Sequence, residues 1–349
     1  MQESLVKKRD DMISTIKGIG IILIVVGHSG CPEWFRNFIY MFHVPLFFIT
    51  AGYFYKGCDN FSNLTTFVIK RLKGLYVPFV KWGLAFLLLH NLFAYLNLYS
   101  DDIGYYGYNK LLHDGIFIIL TMGCNGQLLG AFWFLKTLFL ASCGVAIIDF
   151  LTRWIKEWNN GAKKIAILAF FIVLGILSKT YSIQLPVIND LSWVCLGASF
   201  FVIGSLIKQY KVSLRIYQSL ALLVIVFLIS MIVPYEMITV PPTLILVYFI
   251  CATISFVAIS NLIERYRMNN SKFVYLGEHT LIILALHFLC FKLVSLLKIY
   301  LYGLPLEELS QFPVIFEYNS YFWILYSIIG IFIPLLLENI YNNIKPKRL

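Results

Sequence analysis

Ten apolar runs constrain this chain more than any other feature. They cover about 11–29, 35–55, 75–97, 130–151, 163–180, 189–208, 214–233, 239–261, 276–298 and 319–341. Each comes near the ~20 residues that a helix needs to cross a bilayer. The expected fold class is therefore all-α: a polytopic membrane protein of about ten transmembrane helices, with both termini cytoplasmic. Residues 1–349 are expected to form a single domain. Segment 110–121 is apolar but short, so it reads as re-entrant or interfacial rather than as an eleventh span.

The loops give the orientation. With a cytoplasmic amino terminus, the inner segments hold Lys7, Lys8, Arg9; Lys56, Lys70, Arg71, Lys73; Arg153, Lys156, Lys163, Lys164; Lys208, Lys211, Arg215; Arg265, Arg267, Lys272; and Lys345, Lys347, Arg348. These are most of the chain's 28 basic residues. The outer segments hold Arg36, Lys110, Lys179 and, at a boundary, Lys298, together with acids such as Asp101, Asp114, Glu236 and Glu307. This is the bias of a membrane protein whose cytoplasmic loops are basic. It accounts for the net charge of +10 without nucleic acid. Tyr105, Tyr106 and Tyr108 outside, and Trp154 and Trp158 inside, fit interfacial belts.

Charged residues make up only 13% of the chain, about half the soluble average. Seven cysteines are scattered with no metal-ligand spacing, so no metal is expected. Cys31 and Cys124 both fall in outer segments, and their pairing is left open. Lys7-Lys8-Arg9 ahead of an apolar run mimics a signal peptide, and Ser29-Gly30-Cys31 faintly mimics a lipoprotein cleavage site. His28 stands where the latter needs an apolar residue, and further spans follow, so the first helix is expected to stay uncleaved.

Polar groups inside these runs are the candidates for chemistry. Lys17 and His28 are eleven residues apart, about 1100° of helix, and so share one face about 16 Å apart along the axis. Membrane-depth polar groups are costly and face cavities or partners. His28 lies between Gly27 and Gly30, whose small size lets a ligand or another backbone come close. An imidazole titrates near neutrality, which suits a general base. A histidine that merely bonds a neighbouring helix is the alternative. His43 follows in the next span beside Pro45, which is expected to kink that helix and open room; a structural role is equally open. His287 sits deeper in its span than Glu278 and His279, and better fits a polar cavity. Lys136 stands just inside the fourth span, three residues after Trp133; it either snorkels outward or contacts a substrate. Trp133 either stacks on a sugar ring or anchors the interface.

Four stretches in order resemble the acyltransferase-3 family, and most of all its fucose 4-O-acetylase-like integral membrane acetyltransferases. They are Lys17-Gly18-Ile19 running to Gly27-His28; Phe42-His43-Val44-Pro45-Leu46-Phe47-Phe48 with Ala51-Gly52-Tyr53; Phe132-Trp133-Phe134-Leu135; and Leu276-Gly277-Glu278-His279-Thr280-Leu281 running to His287. The resemblance runs from residue 9 to about 340. It implies an acyl-CoA-dependent O-acyltransferase that moves an acetyl group from acetyl-CoA to a hydroxyl of a sugar or cell-surface glycan, the acceptor being free or lipid-linked. It implies a basic residue eleven positions before an essential histidine, here Lys17 and His28. Relatives more often carry Arg at the first of these, and Asp where this chain has Ser14. A bacterial inner membrane is the implied location.

On that reading His28, with Lys17 and His43, forms the catalytic set, and the hydroxyl attacks the thioester directly, since no nucleophilic Ser or Cys motif is present. Lys70, Arg71 and Lys73, ahead of Tyr76-Val77-Pro78-Phe79, are the candidates for holding the phosphates of acetyl-CoA; they are otherwise ordinary inner-loop cations. Trp133, Lys136 and His287 are the candidates for the acceptor. Lys17, Lys136 or a backbone N–H would face the oxyanion. A transporter of a lipid-linked sugar, or a scaffold in polysaccharide synthesis, would use the same spans without chemistry.

Overall fold

A computed structural model describes residues 10–100, 103–123, 126–155, 159–266 and 271–344. Lys7, Lys8, Arg9, Asp101, Cys124, Lys156, Trp158, Arg267, Lys345, Lys347 and Arg348 lie outside the described residues. The described residues form fifteen α-helices, five short 3-10 or π segments and one two-residue-per-strand hairpin, Gln184–Leu185 with Asn189–Asp190. The protein is an all-α polytopic membrane protein.

Helix α1 (Asp11–His28) is the axis of the bundle. Asp10 caps it, its carboxylate accepting from the Ile13 N–H at 3.2 Å. It ends at Ser29, and Gly30 follows with φ +76°, a conformation that favours glycine. Then come α2 (Glu33–Tyr40) and α3 (His43–Tyr53), and α4 (Phe61–Arg71) runs through a π-turn, Leu72–Tyr76, into α5 (Val77–Leu88). Next are α6 (His90–Tyr95), α7 (Tyr108–Thr121), α8 (Trp133–Leu151), α9 (Asn160–Thr180), α10 (Leu191–Tyr210), α11 (Ile216–Ile232) and α12 (Ile245–Arg265). The last three are α13 (Ser271–Glu278), α14 (Thr280–Tyr302) and α15 (Phe322–Ile344). Helix α1 contacts α2 and α3 and, from the last third of the chain, α12, α13, α14 and α15.

Among the described residues, seven helical stretches are long and apolar enough to cross a membrane. The other three expected spans take different forms. The 214–233 run is α11, a helix of 17 residues. The 75–97 run is the upper part of a longer bent helix, interrupted at Leu89. The 35–55 run is two helices, broken at Met41–Phe42 and not at Pro45. Pro45 falls in the first turn of α3, where a missing N–H leaves no intrahelical bond unmade. Segment 110–121 is α7, whose 14 residues rise only about 21 Å and lie antiparallel along α5. Ile118 there meets Gly83, Gly115 faces Leu84 and Leu87, and the Tyr76 hydroxyl donates to the Ile119 carbonyl at 2.7 Å.

The bundle centre is aromatic: Phe48, Phe132, Phe200, Phe256, Phe291, Tyr248 and Tyr326 are all fully buried. The apolar faces of α9 and α11 stay exposed, with Val173, Leu177, Val224, Leu228 and Ile232 turned outward. Such faces have lipid as their natural solvent. The contact that places α1 is backbone on backbone. A Cβ on Gly18 would stand 2.1 Å from the Phe273 carbonyl oxygen, and one on Gly277 would stand 1.9 Å from that of Ser14. Small residues of this kind allow membrane helices to touch along their main chains. That contact sets α13 and α14 in register with α1.

Candidate active site

His28 is the last residue of α1, and the register fixed at Gly18 brings it to His287 on α14. Nδ1 of His28 lies 3.2 Å from Nε2 of His287. The rings are 18° from coplanar with centroids 5.4 Å apart, so the bond runs edge to edge in the ring planes. His287 is fully buried, and its Nδ1 faces the carbonyls of Ile283 at 3.1 Å and Leu284 at 3.0 Å. A carbonyl only accepts, so His287 Nδ1 carries the proton. In the neutral ring His287 Nε2 is then an acceptor, and His28 Nδ1 must donate to it. The proton of neutral His28 is thereby placed on Nδ1, and Nε2, on the far side of the ring from His287, keeps its lone pair.

His28 lines a cavity of about 270 Å³. Its walls come from several elements. Gly27, Gly30, Arg36 and Tyr40 approach from α1, α2 and the turn between them, Trp133 from the start of α8, Phe288 from α14, and Phe312 and Phe316 from the segment between α14 and α15. Phe288 packs against His28 with centroids 4.9 Å apart and against Phe312 at 4.6 Å. The Tyr40 hydroxyl donates to the Gly27 carbonyl at 3.1 Å, and Trp133 meets Trp193 edge-on at 5.6 Å.

The segment 303–321 is built into the protein. Val314 and Ile315 are completely buried. Lys292 Nζ donates to the carbonyls of Leu309 at 2.8 Å and Gln311 at 2.7 Å, while Lys298 Nζ donates to those of Ile315 at 2.7 Å and Glu317. Asn319 Nδ2 donates to the Gly30 carbonyl at 2.8 Å, and a Cβ at Gly30 would collide with both Asn319 and Val314. Two ammonium groups on α14 and one amide thus strap this segment over the His28 cavity.

The other sequence candidates fall in three places. His43 is buried beside the cavity; its Nδ1 donates to the Ile39 carbonyl at 3.0 Å, and its ring stacks on Tyr40 at 4.9 Å, so it touches the cavity wall from behind. Lys136, one turn inward of Trp133, is 7% exposed and its Nζ has no hydrogen-bond partner among the described residues, so it does not snorkel to water. Lys17 is away from the cavity, half-buried beside α13 within electrostatic reach of Glu278. Arg71 turns in, over Phe67 at 4.8 Å and Phe201 at 5.4 Å, and donates to the Ala51 carbonyl at 3.4 Å. Lys70 and Lys73 point out, so the three cations do not converge on one point.

Sequence reasoning missed Arg36, Tyr40 and the strap. Lys292 was the available signal: a lone ammonium in the middle of an apolar run. His279 is not left to solvent; its Nδ1 pairs with Glu338 on α15 at 2.6 Å. His90 and His113 are engaged away from the cavity, with the Gly104 carbonyl and with Asp114. Cys31 is a free buried thiol. Among the described residues no group of three or more His, Cys, Asp or Glu could hold a metal.

Fold and site together define an integral membrane protein with an oriented imidazole pair at an aromatic cavity. A family model for acyltransferase domains matches residues 12–339, and the chain belongs to that family, acyltransferase-3. Among curated proteins, the nodulation protein NolL of Sinorhizobium fredii (strain NBRC 101917 / NGR234) is 26% identical over 203 residues, which cover 54% of this chain and 48% of that one. The match thus spans about half the length of that relative. No solved structure matches the chain.

Proposed function

We propose that this chain, as one acyltransferase domain, moves an acetyl group from acetyl-CoA to a hydroxyl of a sugar or cell-surface glycan, with His28 as general base. The observation that carries the reading is the His287–His28 bond. It orients the imidazole and leaves its Nε2 lone pair for the cavity.

The steps use little else. A hydroxyl in the cavity gives its proton to His28 Nε2 as its oxygen attacks the thioester carbonyl carbon. The imidazolium that forms keeps its Nδ1–H bond to His287. The tetrahedral adduct collapses, its C–S bond breaks, and the leaving sulfur takes the proton back from His28. The ester and CoA are the products, and no acyl-enzyme is formed. Trp133 and Phe316 offer faces to a sugar ring. The unpartnered Lys136 ammonium suits a substrate oxygen or the developing oxyanion. The basic loops support an orientation with the amino terminus, Lys70, Arg71 and Lys73 in the cytoplasm, where acetyl-CoA is made, and the His28 cavity in the outer half of the membrane, on this reading a bacterial inner membrane. Lys17, on the cytoplasmic half of α1, then faces the donor's route rather than the reacting atoms.

The test uses purified protein in lipid vesicles with radiolabelled acetyl-CoA and a panel of sugar acceptors. Ester formation by the native protein should fall about 10²–10⁴-fold in His28→Ala. Transfer within about twofold of native in that variant would remove His28 from the chemistry.

A further inference from the structure

The His28 cavity contains one charged side chain that its aromatic walls do not explain. Arg36 lines it, and among the described residues no carboxylate does. Of the four cations in the outer segments between the apolar runs, three have acceptors. Lys110 pairs with Asp114 at 3.0 Å, Lys179 donates to the Ile238 carbonyl at 2.8 Å, and Lys298 holds the strap. Among the described residues, Arg36 has no acceptor at hydrogen-bond distance. Among the described residues its nearest carboxylate oxygen is Glu33 Oε1 at 3.8 Å, one turn back on α2; the Arg36 side chain is 41% exposed and that of Glu33 77%. A solvated pair of that length is worth little. Glu236, in the loop after α11, feels the Arg36 charge across a longer gap. Burial pushes its carboxyl up and Arg36 pulls it down. Glu236 therefore supplies a background field and does not occupy the guanidinium.

A guanidinium presents five N–H donors in a planar fork matched to two oxygens of one anion. Lining the same cavity as a base, such a fork can recognise a charge on the molecule whose hydroxyl the base deprotonates. A neutral sugar gives it nothing of equal strength. Resting on the acyl-transfer reading above, we propose that the acceptor is an anionic glycan. Its phosphate or carboxylate binds Arg36 while a hydroxyl of the same molecule faces His28, with Trp133 and Phe316 against the intervening ring.

The experiment compares three acceptor sets with radiolabelled acetyl-CoA and the full-length protein in vesicles. The sets are methyl glycosides of the common hexoses, the corresponding uronates, and the corresponding sugar 1-phosphates. The native protein should show a KM about tenfold lower for an anionic set than for the neutral one, the size of one charge-assisted hydrogen bond. The preferred set identifies the anion as phosphate or carboxylate. Arg36→Gln should erase the preference, and Arg36→Lys should restore part of it, since the charge remains but the fork is lost. Equal or better use of the neutral set by the native protein overturns the proposal and leaves acyl transfer standing. An anionic preference that survives in Arg36→Gln overturns Arg36 as its source. Acetylation of no sugar at all sinks the acyl-transfer reading and this proposal with it.

Discussion

His287 donates its Nδ1 proton to the backbone of its own helix and so stands ready to receive one from His28, 3.2 Å away. On the acyl-transfer reading proposed above, a histidine held in this way would do the orienting work that a carboxylate does in other base pairs, without bringing a second charge into a low-dielectric site. Removing it should cost orientation rather than binding. His287→Ala is expected to lower kcat about 10–100-fold, with the KM for acetyl-CoA little changed. His287→Gln, which retains an acceptor oxygen, should recover part of the loss. The double variant with His28→Ala should be no slower than His28→Ala alone, because one group acts only through the other. A double variant another tenfold slower would give His287 an independent role.

Lys136 sets stability against activity. A buried ammonium without a partner destabilises the empty protein. Lys136→Met should therefore unfold at the same temperature as the native protein or higher, while kcat drops by about 10²-fold if the ammonium meets the oxyanion. Thermal unfolding and steady-state rates on the same preparation check both halves. A variant that is both active and less stable would return Lys136 to a packing role.

The strap rests on Lys292. Lys292→Met frees the Leu309 and Gln311 carbonyls and loosens Phe312 over the cavity. Each carbonyl left buried and unpaired costs about 1–3 kcal/mol, offset in part by relief of the ammonium's own desolvation. The expected result is a lower unfolding temperature and a raised acceptor KM, with the KM for acetyl-CoA unchanged. A change in the donor KM alone would place the strap elsewhere in the reaction.

Gly18 tests the register of α1. A Cβ there meets the Phe273 carbonyl oxygen at 2.1 Å, and backbone cannot give way as a side chain can. Gly18→Val should force α1 from α13, part His28 from His287 and abolish activity, even though position 18 is about 15 Å of helix from position 28. Activity near the native level would mean that the two imidazoles do not depend on that contact.

The helices were legible because apolar runs and basic loops report directly on lipid. His28, His287 and Trp133 stood out as polar or aromatic residues at fixed places in those runs. Their assembly did not: the His28–His287 bond joins positions 259 apart, and it depends on a glycine contact that no periodicity announces. Arg36 was visible as an outer-segment cation at the edge of the 35–55 run, but not as a cavity wall, because the chain breaks that run at Met41–Phe42 to set α2 apart. Hydropathy read over 276–298 averages Lys292 away. The segment after α14 reads as a surface loop, yet Val314 and Ile315 are completely buried, because the lysines that recruit it sit outside its own sequence.

The strap is fastened at two points to α14, the rod that also carries His287, and once to the turn after His28. Its aromatic face is therefore exchangeable while its anchors are not. Descendants of this scaffold can reshape the cavity by changing Phe312 or Phe316 while the His28–His287 pair stays as it is.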